Sequence, residues 1–294
     1  VSILLDGATR VIVQGVTGKE GSFHFRIMRD YGTRIVGGVT PGKGGMDHEG
    51  VPVFDTVAEA RDATGAEATI IFVPKSAAVD SVTEAIRAGM RLVVCTTDGI
   101  PVHDMLKVRS MAREAGCILV GPNCPGVISP GKSKLGFMPS HVYSEGPVGV
   151  IAKSGSLSYE VAYELTLAGL GQSTVVGIGG DPVKGCSFAD LLPRFVEDPE
   201  TRIIVLIGEI GGNEEESAAD WMRRNEVKKP VVAYVVGRTA PTSAKMGHPG
   251  TLFVWDGGRH EGKLERLRAA GAVVADSPWG VAASVLALHG EVNG

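Results

Sequence analysis

The chain has 294 residues, 44% of them hydrophobic and 21% charged, with a formal net charge of −4. This is globular composition, long enough for two ordinary domains with cores of their own, and it excludes a disordered chain. Basic and acidic residues are interspersed and no apolar run reaches membrane length, so neither a nucleic-acid face nor a membrane segment nor a secretory leader is expected.

The four cysteines, Cys95, Cys117, Cys124 and Cys186, have no CxxC or metal-ligand spacing, which points to reduced thiols and a cytoplasmic setting. Along the chain, short apolar runs alternate with longer amphipathic stretches, the pattern of parallel α/β units. In the first part the runs predict strands over 11–16, 34–39, 69–73, 92–96 and 117–121. Helices are predicted over 21–31, 57–64, 76–88 and 101–115. Continuous rather than alternating apolar runs suit strands buried on both faces. A stretch rich in Gly, Pro and Ser follows, and 123–146 is expected to cross between domains. Beyond it, strands are predicted over 148–152, 174–178, 203–207, 231–236 and 273–275. The helices between and after them are predicted over 157–167, after Gly185, and over 214–224, 262–270 and 279–289. The expected organisation is a first domain over 1–122, the crossing segment over 123–146 and a second domain over 147–294, each domain α/β and doubly wound.

Several strand exits carry chemistry. The first runs into Gly15-Val16-Thr17-Gly18-Lys19-Glu20-Gly21 and a helix, and glycines there let backbone N–H groups meet an anion at the helix's positive end. A nicotinamide dinucleotide site wants an acidic residue at the end of the second strand. That end reads Gly37-Gly38-Val39-Thr40-Pro41-Gly42-Lys43-Gly44-Gly45, with a lysine and no acid. A cation there suits a ligand with an additional phosphate, such as coenzyme A with its 3′-phosphate. NADP and a simple solvated lysine are the alternatives. Ala152-Lys153-Ser154-Gly155-Ser156 opens another helix, either as an oxyanion site or as an ordinary serine cap, and Gly177-Ile178-Gly179-Gly180-Asp181-Pro182 is a further glycine-rich exit. In an open parallel sheet such exits share one edge and converge. Two more segments stand out. Ile207-Gly208-Glu209-Ile210-Gly211-Gly212 closes a buried strand with a carboxylate, and Gly247-His248-Pro249-Gly250 presents one histidine in a loop of little bulk. A carboxylate beside an imidazole fixes its tautomer and raises the basicity of the other nitrogen, which can then attack phosphorus; an ordinary surface histidine is the alternative.

These motifs, with Gly121-Pro122-Asn123-Cys124-Pro125-Gly126 between them, occur in an order and spacing that resembles the α subunits of succinyl-CoA synthetase, the NDP-forming succinate–CoA ligases, over nearly all 294 residues. Malate–CoA ligase α subunits and the small subunit of citryl-CoA synthetase are similar, and Asp98 and Ser129-Pro130-Gly131-Lys132-Ser133 lean toward the malate enzymes. The resemblance implies an α/β fold with an N-terminal Rossmann-like CoA-binding domain followed by a flavodoxin-like doubly wound parallel-sheet domain. It implies a CoA ligase that makes a thioester from a dicarboxylate, with a β subunit carrying an ATP-grasp site for Mg-ATP or Mg-GTP, in an αβ or α2β2 assembly. It maps the transiently phosphorylated histidine onto His248 and its supporting glutamate onto Glu209. The anion-binding helix start maps onto Ser154, Gly155 and Ser156. CoA contacts map onto Thr17, Gly18, Lys19, Gly21, Val39, Pro41, Lys43, Asn123, Cys124 and Pro125. No metal site within the chain is implied.

Two departures from the family pattern bear on the site. Pro249 removes an N–H beside the histidine and Phe253 and Trp255 add bulk after it, where small residues are usual, and Lys153 stands where arginine is usual. They suggest altered loop geometry with activity retained. Cys124, flanked by Pro122 and Pro125 and with no His or Asp near it in sequence, reads as a packed turn residue. His141 reads equally as an exposed loop histidine or a residue lining the site, and the role of His24 is left to the fold. An NADP-dependent reductase and a non-catalytic CoA-binding module are the rival classes.

Overall fold

In the computed structural model, which describes residues 2–240, 247–251 and 258–293, strand β1 (Val11–Gln14) is wholly buried and leads directly into helix α1 (Lys19–Tyr31). Only glycines permit that turn. Gly15 has φ +75°, and a Cβ on Gly21 would stand 2.1 Å from the Gly15 carbonyl oxygen. The first sheet continues with β2 (Ile35–Val39), β3 (Asp47–His48), β4 (Val51–Phe54), β5 (Ala68–Ile71), β6 (Leu92–Cys95) and β7 (Ile118–Val120). Helices α2 (Val57–Thr64), α3 (Lys75–Arg87) and α4 (Val102–Glu114) connect them. The spatial order is β3-β4-β2-β1-β5-β6-β7, parallel except for the β3–β4 pair. Helix α2 starts where a capping box dictates, with Thr56 Oγ1 accepting from Glu59 N–H at 3.2 Å.

The second sheet holds β8 (Gly126–Ser129), β9 (Ser133–Gly136), β10 (Glu145–Ala152), β11 (Gln172–Gly177), β12 (Ile203–Glu209), β13 (Val231–Val236) and β14 (Val273–Val274), in the order β14-β13-β12-β10-β11-β8-β9. Its helices are α5 (Gly155–Leu167), α6 (Phe188–Glu197), α7 (Glu214–Arg224), α8 (His260–Ala269) and α9 (Pro278–Asn293). Helices α5 and α9 cover one face and α6, α7 and α8 the other, the doubly wound arrangement. Residues 123–146, read from composition as a crossing, carry the β8–β9 hairpin, which joins the second sheet antiparallel to β11. The two-residue β3 and the short β4, which lie between the predicted strand over 34–39 and the predicted helix over 57–64 where no element is predicted, extend the first sheet.

The two sheets share a core. Phe25 and Met28 on α1, Val13 and Ile70 from the first sheet, Leu135 on β9 and Val176 and Leu206 from the second belong to one contiguous buried cluster. Burying a side chain of that kind is worth about 1.5–3 kcal/mol, so the hairpin is held from both sides. Thr33, just after α1, fastens it further: its hydroxyl donates to Lys134 O at 2.7 Å and accepts from Lys134 N–H at 3.0 Å. Among the described residues no helix is long and apolar enough to cross a membrane.

Candidate active site

Parallel strands end on a common edge, and the second sheet uses that edge to bring its charged residues together. Strand β12 is apolar through Ile207 and ends in Gly208 and Glu209, with Glu209 almost fully buried. His248 follows β13, and the described residues around it, 247–251, are held by hydrogen bonds. Thr251 donates to the His248 carbonyl through its hydroxyl at 2.7 Å and its N–H at 3.0 Å, and Gly250 N–H reaches Gly180 O at 2.9 Å. None of these bonds uses the N–H that Pro249 lacks. Phe253 and Trp255 lie outside the described residues. The imidazole rests on the exit of β11: a Cβ on Gly180 would stand 2.3 Å from His248 Cγ, so glycine is required for the ring to sit there.

His248 Nδ1 and Glu209 Oε2 are 2.7 Å apart, with the histidine side chain 34% exposed and the glutamate side chain 6%. A proton on Nδ1 facing a carboxylate leaves the lone pair on Nε2 free. The hydrogen bond to Glu209 raises the pKa of His248, against burial and the positive charges of Lys184 and Lys153, which lower it. Lys153, the first residue after β10, is itself buried and pairs with Glu215 at 2.8 Å and Glu214 at 3.4 Å. Lys184 pairs with Glu214 at 3.2 Å, and Lys263 of α8 with Glu215 and Glu216. Glu209 and His248 thus sit over a buried network of lysines and glutamates. Motif reading missed this network, because acids in the first turn of α7 are ordinary in any helix. A lysine directly after an apolar strand, at 153, was the available signal.

The remaining site residues fall into groups along the two sheet edges. At the first sheet, Lys43 Nζ donates to Thr17 Oγ1 at 3.1 Å and Thr17 Oγ1 donates to Thr40 Oγ1 at 3.2 Å. Gly18 and Lys19 are exposed at the start of α1, where no side-chain cap competes for the first-turn N–H groups. Gly21 is buried in the turn, Pro41 is exposed, and Val39 is buried and accepts from Gly15 N–H at 2.8 Å. The arrangement fits a phosphate-bearing ligand: a lysine, a hydroxyl and an open helix start on one edge. Asn123 bridges the two sheet edges, its Nδ2 donating to Asp181 Oδ1 at 2.9 Å and its carbonyl accepting from Gly180 N–H at 3.2 Å. Cys124 is buried, its thiol donating to Cys95 O at 3.3 Å, and burial pushes that thiol well above its ordinary pKa. Pro125 packs on Gly177 and Gly155, closing the gap to α5. Ser154 caps α5, its Oγ accepting from Leu157 N–H at 3.4 Å and lying 3.4 Å from Ser156 Oγ. His141 is exposed in a 3-10 turn, Ser140–Val142. His24 is half-buried, stacked on Phe72 at 5.2 Å and edge-on to Phe137, and burial lowers its pKa.

The CoA binding domain family model matches residues 6–99 and the CoA-ligase model residues 151–273. The succinate–CoA ligase (ADP-forming) subunit alpha of Aquifex aeolicus (strain VF5) is 52% identical over 280 residues, 95% of this chain and 92% of that one. The chain belongs to the succinate–CoA ligase α-subunit family. Subunit alpha 1 of Archaeoglobus fulgidus is also 52% identical, over 94% of each chain, and the Staphylococcus aureus (strain Mu50) α subunit is 48% identical over all of this chain. Among solved structures, ATP citrate lyase from Methanosaeta concilii shares the fold with a TM-score of 0.86 at 24% identity over 95% of this chain. This α-subunit family member spans about half of that longer chain, 49%. A dinucleotide-forming acetyl-coenzyme A synthetase from Ca. Korarchaeum cryptofilum superposes with a TM-score of 0.75 at 23% identity, over 92% of this chain and 58% of that one.

Proposed function

We propose that this chain is the α subunit of an NDP-forming succinate–CoA ligase in which His248 carries a phosphoryl group and the N-terminal half, 1–122, holds CoA. The half over 147–294 is the ligase domain, reached through 123–146. The observation that carries the reading is the 2.7 Å contact from Glu209 to Nδ1 of a partly exposed histidine, which leaves Nε2 as the only nucleophilic ring atom. The family membership supplies the reaction class.

A carboxylate does not accept a thiol directly, because oxide is a poor leaving group. In the proposed cycle His248 Nε2 attacks the terminal phosphorus of a nucleoside triphosphate held by an ATP-grasp β subunit, and the broken P–O bond leaves its electron pair on the diphosphate. Glu209 keeps the Nδ1 proton and offsets the imidazolium charge. A carboxylate oxygen of the dicarboxylate then takes the phosphoryl group, the P–N bond breaks and the ring returns to neutral. The CoA thiolate attacks the acyl carbon, and phosphate departs. The start of α5 at Ser154, Gly155 and Ser156 offers N–H groups to the anionic oxygens. The Lys43 ammonium, the Thr17 hydroxyl and Lys19 offer donors to CoA phosphates, and Gly18, without a side chain, leaves room for their approach to the start of α1. Asn123 ties the two edges together through Asp181 and is the partly exposed member of its segment, with the buried Cys124 and Pro125 packed behind it.

Co-purification with a β-type subunit, followed by thioester assays on succinate, malate and citrate, tests the acid. Phosphate incorporation tests the carrier: His248→Asn in the complex should abolish acid-labile, base-stable labelling, and undiminished labelling would overturn the assignment.

A further inference from the structure

Strand β10 pairs with β12 only as far as Ala152 opposite Ile207, whereas β13 accompanies β12 on its other side up to Glu209 opposite Val236. The last residues of β12 therefore lie past the end of the ladder on the β10 side. An N–H exposed there inside the protein needs another acceptor. Glu215, from the first turn of α7, supplies it: Glu209 N–H donates to Glu215 Oε1 at 3.0 Å. The side chain lies flat across the strand end, since a Cβ on Gly208 would stand 2.6 Å from the same oxygen.

We propose that Glu215 is a positioning residue for the His248–Glu209 pair: clamped between the Lys153 and Lys263 ammoniums, its carboxylate holds the Glu209 backbone N–H and so aims the Glu209 side chain at Nδ1. The catalytic consequence rests on His248 being the phosphoryl carrier; the geometry does not.

The clamp joins several elements. Lys153 at the exit of β10 is 3% exposed, Glu215 on α7 is 2% and Lys263 on α8 is 0%. Lys263 also donates to Gly212 O at 3.2 Å and to Glu216 at 2.9 Å, which fixes the loop between Glu209 and α7. Glu214 takes the other contacts of Lys153 and Lys184, so among the described residues both lysines whose charge acts on His248 have a carboxylate partner. Burial pushes the Glu215 carboxyl up, but Lys153 and Lys263 outweigh it and hold it down to about 2. Stability alone does not call for such a triad, because well-packed apolar residues generally replace buried ion pairs at little cost. What they cannot supply is the acceptor for Glu209 N–H.

The test uses the full chain labelled with 15N on histidine, and the complex with its β-type subunit. In the wild type the ring signals of His248 should show one tautomer, protonated at Nδ1. The triple variant Lys153→Met, Glu215→Met, Lys263→Met removes the clamp; Glu214 keeps Lys184, and Glu216, the other partner of Lys263, is left at the partly exposed end of the network. The variant should lose the single tautomer and slow phosphorylation of His248 about tenfold to a hundredfold, with KM for the nucleotide unchanged. Glu215→Gln keeps an acceptor oxygen and should keep the tautomer. A folded triple variant with the wild-type tautomer and rate overturns the proposal, and so does a folded Glu215→Gln that loses the tautomer as completely as the triple. Should the wild-type complex take up no phosphate, the carrier role of His248 fails, while the tautomer measurement, which needs no partner, still decides the role of Glu215.

Discussion

In the proposed cycle the ring must be neutral when it attacks phosphorus, and at His248 the neighbouring carboxylate works against that condition while aiming the lone pair. Glu209 raises the pKa of the ring, so as pH falls through that raised value the ring becomes protonated and phosphorylation stops. Glu209→Gln removes the charge that raises it. The acid limb of the phosphorylation rate should then move to lower pH, while the plateau rate falls about tenfold to a hundredfold through the lost orientation. A rate–pH profile of the complex checks both, and an acid limb that stays in place would show that Glu209 does not set the protonation of the ring. The pair itself was readable from sequence, because each residue stands in a glycine-rich strand exit with few competing roles. The lysines and glutamates beneath it were not. Glu214, Glu215 and Glu216 look like the usual acids of a helix first turn, and only folding shows Lys153 and Lys263 arriving from opposite sides.

At the scale of elements, the parallel strands and their helices followed from apolar runs and capping residues. Helices α2 and α7 span the very residues expected, 57–64 and 214–224. The β8–β9 hairpin did not follow. Its strands are four residues each and begin and end at Gly126 and Gly136, which face each other so closely that a Cβ on Gly126 would stand 1.9 Å from Leu135 O. Glycine used for close approach reads as loop in a sequence. The hairpin also buries Lys134, 2% exposed, whose Nζ donates to Met138 O at 2.6 Å and Ser140 Oγ at 3.2 Å and lies 5.8 Å from the centre of the Tyr31 ring. Burial lowers its pKa from 10.5 to about 8. Between those values the unfolded chain binds the proton and the folded chain does not, so this lysine makes stability rise with pH across that window. Below it the charged group is a cost, of no more than roughly 3 kcal/mol. Lys134→Met should therefore gain stability relative to wild type near pH 7 and lose that advantage as pH approaches 10. Urea midpoints of both proteins at a series of pH values read this directly, and a constant difference would mean that the lysine titrates alike in both states.

For the whole molecule, the question is whether the end that holds CoA and the end that holds the histidine unfold as one body. The core says they do. Side chains of α1 and the first sheet pack with Leu135 of the hairpin, and the hairpin is a continuation of the second sheet. Asn123 adds a polar tie between the two active edges, through Asp181 and Gly180, and Gly180 in turn carries the His248 loop. A ligand bound at the Thr17–Lys43 edge should then stabilise more than the sheet it touches. With CoA at a hundred times its Kd, linkage adds about 2.7 kcal/mol to whatever unit unfolds with the site. Calorimetry of the chain should show a single transition that CoA moves upward as a whole. Two transitions, with CoA raising only one, would mean that the halves are thermodynamically separate. Leu135→Ala supplies the converse. Its side chain is fully buried where the halves meet, so the cavity should cost about 2–5 kcal/mol and weaken that junction first. In that variant the single peak should broaden or split, and CoA should protect the first half preferentially.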